Sequence, residues 1–156
     1  YGVECIMRIG TCGAYLDSIH LFNVINTDVA YSESTYAKTA FNYTEDHFHH
    51  QGKAFNIINE TATALNIPIL SGPIHSGDAF YRVDRELPAI VKSNKCLAAE
   101  MEAFALFANA KYFNKTAATL LTVSDNIDTH QKISAEESAQ SLTLMTRLAL
   151  ESCLNL

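Results

Sequence analysis

The chain is poor in the features that mark several large classes of protein. Of its 156 residues only 3 are proline and 6 are glycine, and no Pro/Gly/Ser-rich linker, low-complexity run or internal repeat divides it. Basic residues number 11 against 17 acidic ones, a net charge of −6. There is no Lys/Arg run that could release counterions from a nucleic-acid backbone, which argues against nucleic acid as a main partner. Long apolar runs are missing too: stretches such as Ala117 to Val123 are broken by threonine and fall well short of the roughly 18–20 residues a membrane-spanning helix needs. The 4 cysteines, Cys5, Cys12, Cys96 and Cys153, form no C-x-x-C pair. That spacing speaks against a zinc knuckle or a dense disulfide framework and for free, buried thiols in a reducing, cytoplasmic compartment.

What remains is the composition of one globular domain. Hydrophobic residues make up 48% and charged residues 18%, with a mean hydropathy of +0.02, enough apolar material for a core and far from the composition of disordered chains. The length suits a single soluble unit at about 100–200 residues per domain. The first residue is Tyr1 and the sequence moves at once into a strand-like segment, so the N-terminus looks trimmed and any targeting signal would lie outside it. Three N-x-T sequons begin at Asn42, Asn59 and Asn114; so short a motif arises by chance in an Asn/Thr-rich chain and is not taken as a sign of secretion.

Apolar periodicity alternates between strand and helix. Cys5 to Ile9 reads as a buried strand ending in a glycine-rich turn over Gly10–Gly13, and Leu21 to Thr27 as a second strand. From Gln51 to Asn66, Ala54, Ile57, Ile58, Ala62 and Leu65 fall at helical spacing, before Pro68 returns the chain to an extended Ile69-Leu70. Lys95 to Ala99 reads as a strand running into a helix over Met101 to Phe113, with Met101, Phe104, Ala105, Ala108 and Tyr112 on one face. Ala117 to Val123 reads as another buried strand. Ser134 to Glu137 spells a capping box, ahead of a terminal helix with Leu142, Met145, Ala149 and Cys153 on one face. The expected fold is α/β, a mixed central sheet flanked by helices. In such sheets ligands bind beyond the carboxyl ends of strands.

Three of those ends carry chemistry. Arg8-Ile9-Gly10-Thr11-Cys12-Gly13 combines a guanidinium, a hydroxyl and glycine-exposed N–H groups, a set suited to a tetrahedral oxyanion; it also reads simply as a turn with a surface arginine. Glu100-Met101-Glu102 puts two carboxylates where an apolar strand meets an apolar helix. Burial of such groups demands a partner, and a diol is one; decoration of a helix start for its dipole is the other reading. Thr122-Val123-Ser124-Asp125-Asn126 places Asp125 directly after a buried strand, as a general acid or as a cap. Ser76 to Tyr81 adds two adjacent aromatics suited to a flat heterocycle or to core packing. The H-x-H-H run His47, His49, His50 reads as a solvated loop, since neighbouring residues converge poorly on one ion, and no metal is assigned.

In their order and spacing these four stretches resemble the nucleoside phosphorylase superfamily, most closely the bacterial hexameric purine nucleoside phosphorylases. The family's phosphate motif resembles Arg8 to Ala14, its base-stacking motif Ser76 to Tyr81, its ribose motif Ala99 to Ala103, and its catalytic motif Thr122 to Asn126 followed by Thr129-His130. The resemblance runs from Gly2 to Ser152. Position by position it implies that Arg8 and Thr11 bind phosphate, with Ile9 and Gly10 shaping that segment. It implies that Phe80 and Tyr81 flank the purine, with Ala99 and Ser124 in the base pocket. Met101 would pack under the ribose, and Glu102 would hold its hydroxyls beside Glu100. Asp125 would protonate the purine N7 as the glycosidic bond breaks.

Two departures from the family pattern stand out. An arginine that assists the catalytic aspartate in the family is matched here by Ser138. The relatives also carry an N-terminal section of roughly half this chain's length, with a first phosphate loop, further arginines and a histidine lent to a neighbouring subunit, so residues 1–156 are expected to be a nucleoside phosphorylase domain incomplete at its N-terminus. The implied activity is phosphorolysis of purine (deoxy)ribonucleosides to free base and (2-deoxy)ribose 1-phosphate. It needs no cofactor beyond inorganic phosphate as co-substrate and is carried out by a homo-oligomer, a hexamer by resemblance. The competing readings are a non-catalytic homologue that binds nucleoside, a nucleosidase, for which Arg8 has no use, and a uridine phosphorylase, for which Asp125 has no N7 to protonate.

Overall fold

In the computed structural model, which describes residues 2–83, 86–134, 137 and 142–156, two long parallel strands form the spine. They are β1 (Cys5–Ala14) and β6 (Thr116–Asn126). Every residue of β6 from Ala117 to Val123 is buried, because a strand covered on both faces must be apolar on both. Its period of two serves two cores. Ala117, Leu121 and Val123 join Phe104, Phe107 and Ala108 of α4 (Ala103–Phe113) and Ala37 of α1 (Tyr36–Phe41). Ala118 and Leu120 join Ala54, Ile58 and Ala62 of α2 (Ala54–Ala64) and Met145, Leu148 and Ala149 of α5 (Thr143–Cys153). Helices therefore cover both faces, as the alternating sequence pattern predicts.

The remaining strands are β2 (Val24–Tyr31), β3 (His47–His49), β4 (Ile69–Ser76) and β5 (Ala98–Glu100), with a short helix α3 (Ala89–Asn94) between β4 and β5. The strand order is β3-β2-β4-β5-β1-β6, and the sheet is mixed: β1–β6, β2–β4 and β4–β5 are parallel, β1–β5 and β2–β3 antiparallel. Over Val24–Asn26, β2 also pairs antiparallel with Thr122–Leu120 of β6, so five strands close into a circuit with β3 attached outside it.

Several boundaries differ from the sequence expectation. Gly10 to Gly13 is not a turn: β1 continues to Ala14, because its glycines face neighbouring side chains and need no reversal of the chain. The second strand runs Val24–Tyr31 rather than from Leu21; Phe22 has φ +69° and ends the preceding loop. The strand from Ile69 extends to Ser76 through Pro73, whose carbonyl still accepts from Leu97 N–H. Lys95 is the left-handed C-cap of α3, so β5 begins only at Ala98. His47 and His49 lie on edge strand β3 rather than in a loop. On α4 Tyr112 is exposed, and on α5 the buried stripe is Met145, Leu148, Ala149 and Ser152, with Cys153 exposed. All 4 cysteines are free, Cys12 and Cys96 buried. Two sequon asparagines, Asn42 and Asn114, are left-handed C-caps of α1 and α4, a conformation asparagine tolerates better than most residues. Ser134 and Glu137 exchange the reciprocal bonds of a capping box, at 3.2 and 2.9 Å.

Candidate active site

A cavity of about 470 Å³ opens at the carboxyl ends of β1, β4, β5 and β6, within the size range of small-molecule sites. Arg8, Thr11, Phe80, Ala99, Glu100, Met101, Glu102, Ser124 and Asp125 all line it, so segments separated by more than a hundred residues converge there. Ser138 lies outside the described residues.

Paired strands fix the floor. His75 on β4 is opposite Ala99 on β5, Ala99 is opposite Gly13 on β1, and Gly13 is opposite Asp125 on β6. Directly paired residues share a face, so a row of four crosses the cavity, with the two smallest side chains in the middle and a polar residue at each end. The β1–β6 register jumps here: Cys12 pairs with Val123 but Gly13 with Asp125, leaving Ser124 as the extra residue of a bulge. Bulges re-aim side chains, and this one lets the consecutive Ser124 and Asp125 both face the cavity. Ser124 Oγ donates to Asp125 Oδ1 at 2.9 Å and lies 3.3 Å from the Cys12 carbonyl. Gly13 is required by this arrangement, since a Cβ there would sit 2.7 Å from Asp125 Oδ2.

Arg8 dominates the charge at the opposite corner. Its Nη1 is 3.4 Å from Glu100 Oε2, and its Nη2 pairs with Glu102. Nη1 is buried yet makes no hydrogen bond among the described residues, a donor in want of an acceptor. Gly10 does not line the cavity; it makes room for the guanidinium, because a Cβ would lie 2.7 Å from Arg8 Nη1. Ile9 points away and is exposed. Glu100 accepts from the N–H groups of Glu102, at 3.0 Å, and Ala103, while Ser76 Oγ accepts from Phe104 N–H at 3.2 Å. Glu100 thus caps α4, which is why the helix starts at Ala103 and not at Met101. Burial pushes the Glu100 carboxyl above its ordinary value, against the pull of Arg8 and of its hydrogen-bond donors. Glu102 is 59% exposed in its side chain, at the rim.

Phe80 is 74% exposed at the cavity mouth, and Tyr81, at 89%, lines an adjacent concavity with Glu33, Asp78 and Arg82 instead. The two rings meet edge to face at 4.9 Å. Sequence reasoning missed Tyr15, His75 and Arg82, which also line the cavity. Tyr15 Oη is 2.8 Å from His75 Nδ1, His75 Nε2 is 2.6 Å from Glu33 Oε2, and Arg82 Nη2 is 3.4 Å from Glu33 Oε1. The signal available in the sequence is a histidine immediately ahead of the Ser76 to Tyr81 stretch.

Among the described residues, no group of three or more His, Cys, Asp and Glu side chains is disposed to hold a metal. His47 pairs with Asp46 at 2.8 Å, His49 approaches Asp28 at 3.6 Å, and His50 stacks on Phe55. No helix among the described residues is long and apolar enough to cross a membrane.

Known proteins resemble this chain along nearly its whole length. The phosphorylase superfamily profile matches residues 1–154. A DeoD-type purine nucleoside phosphorylase of Mycoplasma genitalium is 39% identical over 153 residues, 97% of this chain and 64% of the relative. One from Brevibacillus brevis is 35% identical over 158 residues, 99% and 66% respectively. The chain therefore spans just under two thirds of the length of these relatives. In fold it is similar to the Campylobacter jejuni 5'-methylthioadenosine/S-adenosyl homocysteine nucleosidase, with a TM-score of 0.84, 21% identity and coverage of 99% of this chain and 71% of that one. The P knowlesi homolog of P falciparum PNP gives a TM-score of 0.78 at 20% identity, covering 97% and 62%. With the profile matched along nearly its whole length, this chain belongs to the phosphorylase superfamily.

Proposed function

We propose that the protein carrying this chain cleaves purine (deoxy)ribonucleosides with inorganic phosphate, releasing the free base and (2-deoxy)ribose 1-phosphate. The observation that carries this reading is the convergence on one cavity of a guanidinium with a buried donor that makes no hydrogen bond among the described residues, a carboxylate at the rim and a bulge-mounted aspartate. The names of the relatives, purine nucleoside phosphorylases of the DeoD type, support the same substrate class.

The chemistry follows from where charge develops. As the glycosidic bond breaks the sugar becomes oxocarbenium-like and the base gathers negative charge. Arg8 and Thr11 hold phosphate for in-line attack beneath the sugar, a gain in positioning. Glu102 turns from Arg8 to the ribose hydroxyls, and Met101 packs under the ring. Asp125, oriented by Ser124, delivers a proton to N7, so the leaving group departs neutral. Phosphate is a substrate in this scheme and no cofactor takes part. The setting is the cytoplasm, which suits four free cysteines, and the active form is a homo-oligomer.

The test is release of hypoxanthine from inosine with and without phosphate. Cleavage that requires phosphate and yields ribose 1-phosphate is expected; equal cleavage without phosphate, yielding ribose, would replace this reading with hydrolysis.

A further inference from the structure

Asn126 follows the proposed acid directly in sequence, yet it does not line the cavity. It is the last residue of β6, 3% exposed, and pairs with Ala14, the last residue of β1. Its side chain is used in full. The amide nitrogen donates to the carbonyls of Leu16, at 2.9 Å, and Ile19, at 3.0 Å. The amide oxygen accepts from the N–H groups of Asp128, at 3.0 Å, and Thr129, at 2.9 Å. Two donor hydrogens and two lone pairs are all that an asparagine side chain has.

Those partners lie in two different loops. Leu16 and Ile19 belong to the connection from β1 to β2, which opens with the cavity residue Tyr15. Asp128 and Thr129 belong to the turn after β6, which opens with the cavity residue Ile127. That turn folds back on its own strand: Asn126 N–H donates to the Gln131 carbonyl at 2.9 Å, and Ile133 N–H to the Ser124 carbonyl at 3.0 Å. The backbone of Asp125 is thus held between two hydrogen bonds. Ile127 N–H reaches across to the Ala14 carbonyl at 2.8 Å, and the Ile127 side chain borders the space above Gly13 together with the Asp125 carboxylate. Loops around a binding site are among the first parts of a fold to open; here one buried amide joins two of them at the residue next to Asp125.

We propose that Asn126 is a positioning residue for proton transfer from Asp125: by tying the β1–β2 loop to the turn after β6, it fixes where the carboxylate stands in the cavity. It touches no substrate. What it sets is the distance between the acid and the atom that takes the proton, and a displacement of about 1 Å there costs on the order of 10²-fold in rate. Arg8 and Thr11 lie on β1 ahead of the tied loop, so phosphate binding does not depend on the tie. Aspartate cannot replace the amide. It has the same size but only accepts, so it keeps the bonds from Asp128 and Thr129 and loses those to Leu16 and Ile19.

This inference rests on the proposed function, and its test keeps the two apart. Turnover and KM are measured for phosphorolysis of inosine and of 7-methylinosine, whose base already carries positive charge on its imidazole ring and leaves without being protonated. The variants are Asn126→Ala, Asn126→Asp and, for comparison, Asn26→Ala. Asn26 is a second buried asparagine, bonded to Phe55 and Asn59 of α2 and absent from the cavity wall. Thermal melts set an assay temperature below every transition. Asn126→Ala and Asn126→Asp should each lose about 10²-fold in kcat on inosine but less than about tenfold on 7-methylinosine, with KM for phosphate within about twofold. Asn26→Ala should melt lower and leave the ratio of the two substrates in place. Equal losses on both substrates would make Asn126 a support of the fold and nothing more, and an unchanged kcat in Asn126→Asp would show that the bonds to Leu16 and Ile19 are not needed. Either result overturns the inference and leaves phosphorolysis intact. Absence of phosphate-dependent inosine cleavage by the unaltered protein would instead overturn the proposed function, and this inference with it.

Discussion

Gly13 and Asp125 are cross-strand neighbours packed so closely that one added methyl group would lie 2.7 Å from the carboxylate Oδ2. The same Cβ would meet Ile127 Cδ1 at 3.1 Å, so the added methyl would press on both side chains at once. Gly13→Ala should therefore leave the two cores untouched, since neither includes Gly13, yet push Asp125 off its hydrogen bond with Ser124. A displacement of this kind near the reacting atoms costs on the order of 10²-fold in turnover. The check is kcat beside a melting curve: a large fall in kcat with a melting temperature changed by only a few degrees is expected.

Glu102→Ala should raise KM for the nucleoside and lower kcat together, because contacts to the ribose hydroxyls both bind and position the sugar. Substrates lacking the 2′ and 3′ hydroxyls should lose far less. Steady-state kinetics on inosine and dideoxyinosine decide it, and equal losses on both would make Glu102 a partner of Arg8 alone.

Much of the site is legible in the sequence. The residues at the strand ends, Arg8, Glu100 to Glu102 and Asp125, stand out because charge in an apolar segment needs a reason. The helices α2 and α4 follow from apolar spacing. The bulge at Ser124 is not legible, because its cause is a register against β1 that no local pattern encodes. The same holds for the β2–β6 pairing that closes the strand circuit. Gly10 and Gly13 suggest a turn because glycine commonly marks one; here they give room to Arg8 and Asp125 from inside a strand. His75 escapes notice because its partners, Tyr15 and Glu33, lie 60 and 42 residues away in sequence.

The Glu33 carboxyl titrates below its ordinary value of 4.5 in the folded protein. A depressed folded pKa means that the contribution is fully present above the unfolded value and is lost as pH falls through the folded one. Glu33→Gln should therefore melt at a lower temperature than the unaltered protein at pH 7, with the gap closing below pH about 4. Melting curves from pH 3 to pH 7 test this, and a gap independent of pH would mean that the Glu33 charge does not contribute. Glu33 is 45% exposed in its side chain, so solvent keeps the effect small.

In the proposed reaction Asp125 gives its proton to the departing base, and one substitution addresses that transfer directly. Asp125→Asn keeps the shape and the bond from Ser124 but has no proton of comparable acidity to give. Single-turnover release of hypoxanthine from inosine in saturating phosphate should slow by about 10²–10⁴-fold, with nucleoside affinity within a few fold of the original. Release at close to the original rate would contradict this mechanism, since the base would then be leaving without the proton that Asp125 is there to provide.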